Sequence, residues 1–156
     1  MEEQEINIIK GLVEELLQKM TMAVFALEVK SSSEGIKECI SMDINIEDPQ
    51  VLIGQNGQTL FEFQRLLRII LNKKLKKDFY LDLDINNYKK QKVEYLKKMA
   101  QELADQVVLT KEDKALAPMP SYERRIIHGE LSQRQDVISE SQGDGDERYV
   151  VVKSKI

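Results

Sequence analysis

Cysteine is almost absent from this chain of 156 residues, where Cys39 stands alone. A single thiol excludes an internal disulfide and a multi-thiolate metal centre, and its place in an alternating apolar segment marks Cys39 as a buried or half-buried structural residue. Histidine is as scarce, with His128 only. A histidine-based metal site therefore lacks ligands, and no metal or cofactor is expected. No apolar run reaches the roughly 18 residues that span a bilayer, and the opening Met1-Glu2-Glu3 lacks the positive flank of a secretory signal. The chain is expected in the cytoplasm, without membrane insertion. Internal repeats and low-complexity tracts are missing too.

With 42% hydrophobic and 32% charged residues, the composition is that of a globular protein, long enough for one ordinary domain or two small ones. The net charge of −4 argues against a nucleic-acid binder. Its distribution argues the other way. Residues 1–60 carry 4 Lys/Arg against 11 Asp/Glu, residues 61–100 carry 11 against 5, and residues 101–156 carry 8 against 11. A basic middle third inside an acidic chain can guide an anionic polymer, although a lysine-rich helix face is also ordinary solvated surface.

Apolar residues from Glu5 to Met20 recur at steps of three and four, which predicts an amphipathic helix whose glutamate-rich face suits packing on a sheet rather than an anionic membrane. Strand-like runs follow over Ala23–Lys30 and Ile36–Ile46, separated by Ser31-Ser32-Ser33-Glu34-Gly35, which has hairpin-loop composition. Asp48-Pro49 signals a helix start, then come Val51-Leu52-Ile53 and Gly54-Gln55-Asn56-Gly57. A helix striped by Leu60, Phe63, Leu66, Leu67, Ile70 and Leu71 runs on to about Lys74, and Phe79 to Ile85 alternates as a third strand. Asn86-Asn87 reads as a boundary. Beyond it the pattern predicts a long helix to about Leu109, an extended piece through Pro118, a helix carrying Arg124 and His128, and two strands, Val137–Ser141 and Arg148–Lys153, joined by Gly143-Asp144-Gly145 in a hairpin.

Two constellations carry chemistry. In Pro118-Met119-Pro120-Ser121-Tyr122-Glu123-Arg124-Arg125-Ile126-Ile127-His128, Arg124 and His128 are four residues apart on a proline-bounded helix and share a face. Ser121 is expected to cap the first turn, whose free N–H groups and dipole favour a phosphate, and Arg125 adds a neighbouring cation. This Arg-x-x-x-His segment resembles the R-three-H domain, a module associated with single-stranded nucleic acids. The bland alternative is a half-buried His128 that only orients Arg124. The second constellation is Gly54-Gln55-Asn56-Gly57 between two helices, where glycines permit a tight turn and close ligand approach ahead of a helix N-terminus. Its own bland alternative is a helix–helix turn without ligand.

The order helix, strand, strand, helix, helix, strand around that loop matches the type II KH fold (αββααβ), whose GxxG loop clamps nucleotide backbone. Val51-Leu52-Ile53-Gly54-Gln55-Asn56-Gly57-Gln58-Thr59-Leu60 resembles the KH segment of the Jag (SpoIIIJ-associated) family, whose members join a KH domain to an R-three-H domain. The resemblance covers nearly the whole chain. It implies an α+β protein with a KH domain at about 1–86 and an R-three-H domain at about 87–156, joined through a long helix, without the additional N-terminal domain common in the family. The function implied is non-catalytic binding of single-stranded RNA or DNA in control of bacterial envelope growth and division. Ile53, Gly54, Gln55, Asn56 and Gly57, together with Arg124, Arg125 and His128, would hold the strand, and a small KH-domain protein or a second copy would be the protein partner. Departing from many KH loops, Gln55 and Asn56 are neutral. The main rival is a protein-interaction scaffold whose C-terminal module touches no RNA. A nuclease built on Asp82 and Asp84 is the enzymatic rival, set against a solvated sheet face.

Overall fold

The computed structural model describes residues 1–33 and 35–155 and divides into two compact units, Met1–Lys89 and Lys90–Ile156. Together they give a mixed α/β chain of helices and small sheets. The N-terminal unit runs α1 (Glu3–Lys19), β1 (Val24–Ser32), β2 (Cys39–Ile46), α2 (Gln50–Ile53), a 3₁₀ turn (Gln55–Gly57), α3 (Gln58–Leu75) and β3 (Tyr80–Ile85). α4 (Tyr88–Thr110) begins at the end of that unit. The C-terminal unit adds β4 (Lys114–Ala115), α5 (Ser121–Leu131), β5 (Val137–Gln142), a second 3₁₀ turn (Gly145–Glu147) and β6 (Tyr149–Ser154).

The first sheet has the order β1-β2-β3, antiparallel between β1 and β2 and parallel between β2 and β3. A parallel pair needs a crossover, and α2 and α3 provide it. β2 alternates as its sequence requires, with Ile40, Met42, Ile44 and Ile46 buried in the core and Ser41, Asp43 and Asn45 turned away. Ile9, Val13 and Leu17 of α1 and Leu60, Phe63, Leu67 and Leu71 of α3 close the same core. The open edge of β3 is occupied by side chains of α3: the Leu83 N–H donates to Gln64 Oε1 at 2.9 Å, and Arg68 Nε donates to the Phe79 carbonyl at 2.9 Å. Such pairing blunts an edge that would otherwise invite another strand.

Several boundaries depart from the sequence expectation. β1 extends through Ser31 and Ser32, which pair with Ile40 and Cys39, so the loop is shorter than its serines suggested; its Glu34 lies outside the described residues. β2 starts at Cys39 rather than Ile36, which is fully exposed. Asp84 is not on a solvated face: at 8% exposure its Oδ1 accepts the N–H groups of Ile85 (2.8 Å) and Lys89 (3.0 Å), capping the start of α4, while exposed Asp82 pairs with Lys89 Nζ at 2.6 Å. Asn86 and Asn87 both take left-handed backbone, and the Asn86 amide closes a two-bond bridge to the backbone of Ile46.

In the C-terminal unit the sheet order is β4-β6-β5, antiparallel throughout. Leu96, Ala100, Ala104 and Val107 of α4 meet Ile127 and Leu131 of α5 over Val137, Val150 and Val152. Small Ala100 and Ala104 let the backbones approach closely. The extended piece before α5 is held along β6, with Leu116 N–H donating to the Val150 carbonyl and Met119 N–H to that of Arg148. Pro118 and Pro120 have no N–H to offer, which ends the regular pairing. Arg134, after α5, donates to both oxygens of Asp136 and to Asp105 and Gln101 of α4. These carboxylates hold its guanidinium protonated far beyond any working pH.

Asp84→Ala, which takes the side-chain acceptor from the Ile85 N–H at the end of β3 and the Lys89 N–H in the first turn of α4, should cost about 1–2 kcal/mol in a urea melt. Asp82→Ala, an exposed surface pair, should move the midpoint much less. Equal effects of the two substitutions would remove Asp84 from its capping role.

Candidate nucleic-acid interface

Gly54-Gln55-Asn56-Gly57 forms the 3₁₀ turn that links α2 to α3. Pro49 opens α2, and Gly54 N–H closes it with a bond to the Gln50 carbonyl at 2.9 Å. Gly54 has φ 70° and ψ −172°, a conformation that only glycine adopts without strain. A Cβ there would stand 2.0 Å from Thr59 Oγ1. Gly57, at φ 79°, is left-handed as well, and a Cβ on it would meet the Tyr88 ring at 2.8 Å. Asn56 adopts φ 53°, where asparagine is among the few tolerated side chains. The chain therefore bends sharply, keeps Gln55 and Asn56 exposed, and starts α3 with no side-chain cap on its first N–H groups. Ile53 is 6% exposed and belongs to the core behind the loop, so it supports the turn and offers little surface of its own.

α5 begins differently from the sequence expectation. Pro120 is its N-cap and Ser121 its first helical residue, with no side-chain capping bond, because the proline ring holds φ at −58° and the backbone extended one residue earlier. Arg124 and His128 do lie together on the flank facing β5. His128 Nδ1 is 2.7 Å from Ser139 Oγ, and its Nε2 is 2.7 Å from Ser141 Oγ. Arg124 donates through a terminal nitrogen to the same Ser141 Oγ at 3.2 Å and through Nε to the Met119 carbonyl at 3.3 Å. Both residues are half-buried. Arg125 is exposed on the outward face and is not drawn into this cluster.

Burial lowers the His128 pKa below its usual value, and the positive fields of Arg124 and Arg148 lower it further. A neutral imidazole has one donor and one acceptor, which suits two hydroxyls that can each give or take a proton. The arrangement concentrates fixed positive charge around a neutral ring beside a sheet edge, as an anion site requires. Ser139, Ser141 and Arg148 do not stand out in the sequence. Their one signal there is serine at alternate positions of a strand, which common surface strands share.

The sequence pattern of the R-three-H domain family matches residues 94–154, so the class this helix and its β5 neighbours define is an R-three-H domain. The chain is 32% identical to RNA-binding protein KhpB of Clostridium symbiosum over 143 residues, covering 92% of this chain and 63% of that protein. With RNA-binding protein KhpB of Bacillus subtilis (strain 168) the figures are 36% over 121 residues, 76% and 58%, and with that of Streptococcus pneumoniae serotype 2 they are 32% over 129 residues, 83% and 39%. The chain is thus similar to these KhpB proteins over most of its own length, and it spans between 39% and 63% of the length of these relatives.

Two outcomes follow. Gly54→Ala combines a forbidden backbone with a clash against Thr59 and should destabilise the protein by more than about 1 kcal/mol in a urea melt; an unchanged midpoint would show that the turn relaxes freely. Because the folded-state pKa of His128 is depressed, its contribution is fully present above the unfolded value of about 6.5 and is lost as pH falls below it. Melting temperature should therefore drop between pH 7.5 and 5.5 more for the parent than for His128→Gln, and parallel profiles would count against a neutral, half-buried His128.

Proposed function

We propose that this chain is a non-catalytic regulatory protein that binds single-stranded RNA. Residues of about 1–86 serve as a type II KH domain that grips backbone phosphates with Gly54 to Gly57, and residues of about 87–156 supply a second phosphate site at Arg124, His128 and Arg125. The observation that carries it is the convergence of Arg124 and His128 on one serine hydroxyl, with Arg148 close enough to act on the ring. A guanidinium held at two of its nitrogens presents its fork in a set direction, which matches phosphate geometry. Support for the KH assignment comes from the αββααβ order and from glycines in left-handed backbone ahead of an uncapped helix. The names of the KhpB relatives agree with RNA as the ligand. Family resemblance further supports a role in bacterial envelope growth and division and a small KH-domain protein as partner.

Titration of a labelled single strand tests this. Gln55→Asp with Asn56→Asp places two carboxylates toward the phosphates and should weaken binding strongly while stability moves by only about 0.5 kcal/mol. Arg124→Lys keeps the charge but loses the fork, so its affinity loss should be a substantial part of that for Arg124→Ala. A bound phosphate favours the imidazolium, so affinity should rise as pH falls from about 7.5 to 6, and His128→Gln should flatten the rise. A matched duplex should bind more weakly than the single strand. Equal affinity for all these variants, or tighter duplex binding, would end the proposal.

A second reading is favoured by one observation. α3 exposes Phe61 (63%), Leu66 (53%), Ile69 (58%) and Ile70 (40%) on a helix whose loop is neutral, an apolar surface suited to another protein. In that scaffold reading Ile69→Glu abolishes association with a KH partner, and Arg124→Ala leaves every measured interaction unchanged.

A further inference from the structure

Three features of the C-terminal unit are not used by the phosphate site. Tyr95 is 61% exposed on α4 and Tyr122 is 48% exposed on the first turn of α5. They are linked through Lys92 and Glu123. The Tyr122 hydroxyl donates to Glu123 Oε1 at 3.1 Å, Lys92 Nζ lies 3.6 Å from the same oxygen, and Lys92 Nζ also sits 5.9 Å from the Tyr95 ring centroid. Glu123 is only 4% exposed, so the charge between the rings is sunk and matched rather than presented to an incoming anion. The third feature is Gly129. It is exposed in the second half of α5, and a Cβ built on it would meet nothing within 4 Å. Glycine in a helix costs about 1 kcal/mol relative to alanine, and among the described residues no neighbour requires it.

At about 100° per residue, Arg124 and His128 lie on the flank of α5 toward β5, while Tyr122 lies on the flank toward Lys92 of α4. Arg125 and Gly129 occupy the outward face between them. We propose that this outward face is the path of the strand, running from the phosphate held at Arg124 and His128 across Arg125 and the flat surface at Gly129 to bases stacked on Tyr122 and Tyr95. Arg124, Arg125 and Arg148 complement the backbone charge, and the tyrosines supply the sequence-tolerant faces on which unpaired bases stack. A bare Gly129 lets the sugar-phosphate chain approach the helix closely. The proposal rests on the RNA-binding reading above and extends it to the bases.

The test uses the full chain and a short fluorescent oligouridylate. Tyr95→Ala and Tyr122→Ala should each weaken binding by about five- to a hundredfold, the range of one base–aromatic stack, with the salt slope unchanged because no ionic contact is lost. Tyr122→Phe and Tyr95→Trp, which keep a ring, should bind as the parent does. The indole introduced by Tyr95→Trp, in a chain that otherwise has no tryptophan, should be quenched by an unlabelled strand of the same sequence. Gly129→Gln should raise or hold the melting temperature while weakening binding several-fold. If Arg124→Ala weakens binding but the two tyrosine-to-alanine variants do not, the stacking path is wrong, the phosphate site stands and the tyrosines serve a protein contact instead. If Arg124→Ala and His128→Gln are also without effect, the RNA reading of this unit fails and the path with it. Should Tyr122→Ala unfold because Glu123 loses a partner, Tyr95→Ala and the indole quenching of Tyr95→Trp still decide.

Discussion

Parallel pairing of β2 with β3 is the constraint on which the N-terminal unit depends. Strands that run the same way cannot be joined by a tight turn, so the chain must leave the end of β2, cross over the sheet and return. In this protein the crossover is split into a four-residue helix and an eighteen-residue helix. The split has to occur where the chain reverses direction, and the reversal needs backbone conformations that most side chains forbid. Gly54, Asn56 and Gly57 meet that need in succession. The result is an exposed turn at the start of α3, with the Ile53 and Leu52 side chains buried as its anchor. Core packing and the exposed turn are thus two faces of one requirement.

The C-terminal unit reaches a comparable result with side chains instead of backbone. A strand edge offers hydroxyls at alternate residues, a helix offers Arg124 and His128 one turn apart, and Ser141 joins the two. Concentrating arginines around an ionisable ring would be costly if the ring also carried charge. Burial and the arginine field together keep it neutral, and the two serines satisfy a neutral ring completely. In the proposed function, a phosphate bound there would offset the arginine field and so favour a protonated His128.

Much of this is legible in the residues. The stripes of α1 and α4 and the alternation of β2 and β3 follow directly from where Leu, Ile and Val fall, and the two glycines mark the turn; in α3 the apolar stripe is wider than the face that packs, so Leu66 and Ile70, expected in it, are exposed beside buried Leu60, Phe63, Leu67 and Leu71. What escapes is non-local. Two-residue β4 exists only because β6 lies beside it, and Lys114-Ala115 has no strand character of its own. Asp84 looks like half of a wet aspartate pair because alternation alone cannot foresee that a helix will start above it and draw on its carboxylate. Ser121 has the chemistry of a cap, yet Pro120 takes the position because its ring presets the backbone. Ser139 and Ser141 matter through His128, which precedes them by 11 and 13 residues, a relation visible only after β5 docks on α5.

The negative total charge fits with these sites once the source of binding energy is considered. A chain that attracts nucleic acid by net charge binds every duplex and every site alike, with steep dependence on salt. At −4 overall, net charge gives this chain no long-range attraction for polyanions beyond what its basic middle third supplies. In the proposed function, contact comes from groups already placed: uncapped N–H groups behind a neutral turn, and a guanidinium whose direction is set by Met119 and Ser141. Neutral Gln55 and Asn56 belong to the same pattern, since they can hydrogen-bond a phosphate without adding attraction to every other anion. On that proposal, fixed geometry in place of net charge would trade overall affinity for selectivity between a strand whose backbone can conform to each cluster and one whose backbone is held in a duplex.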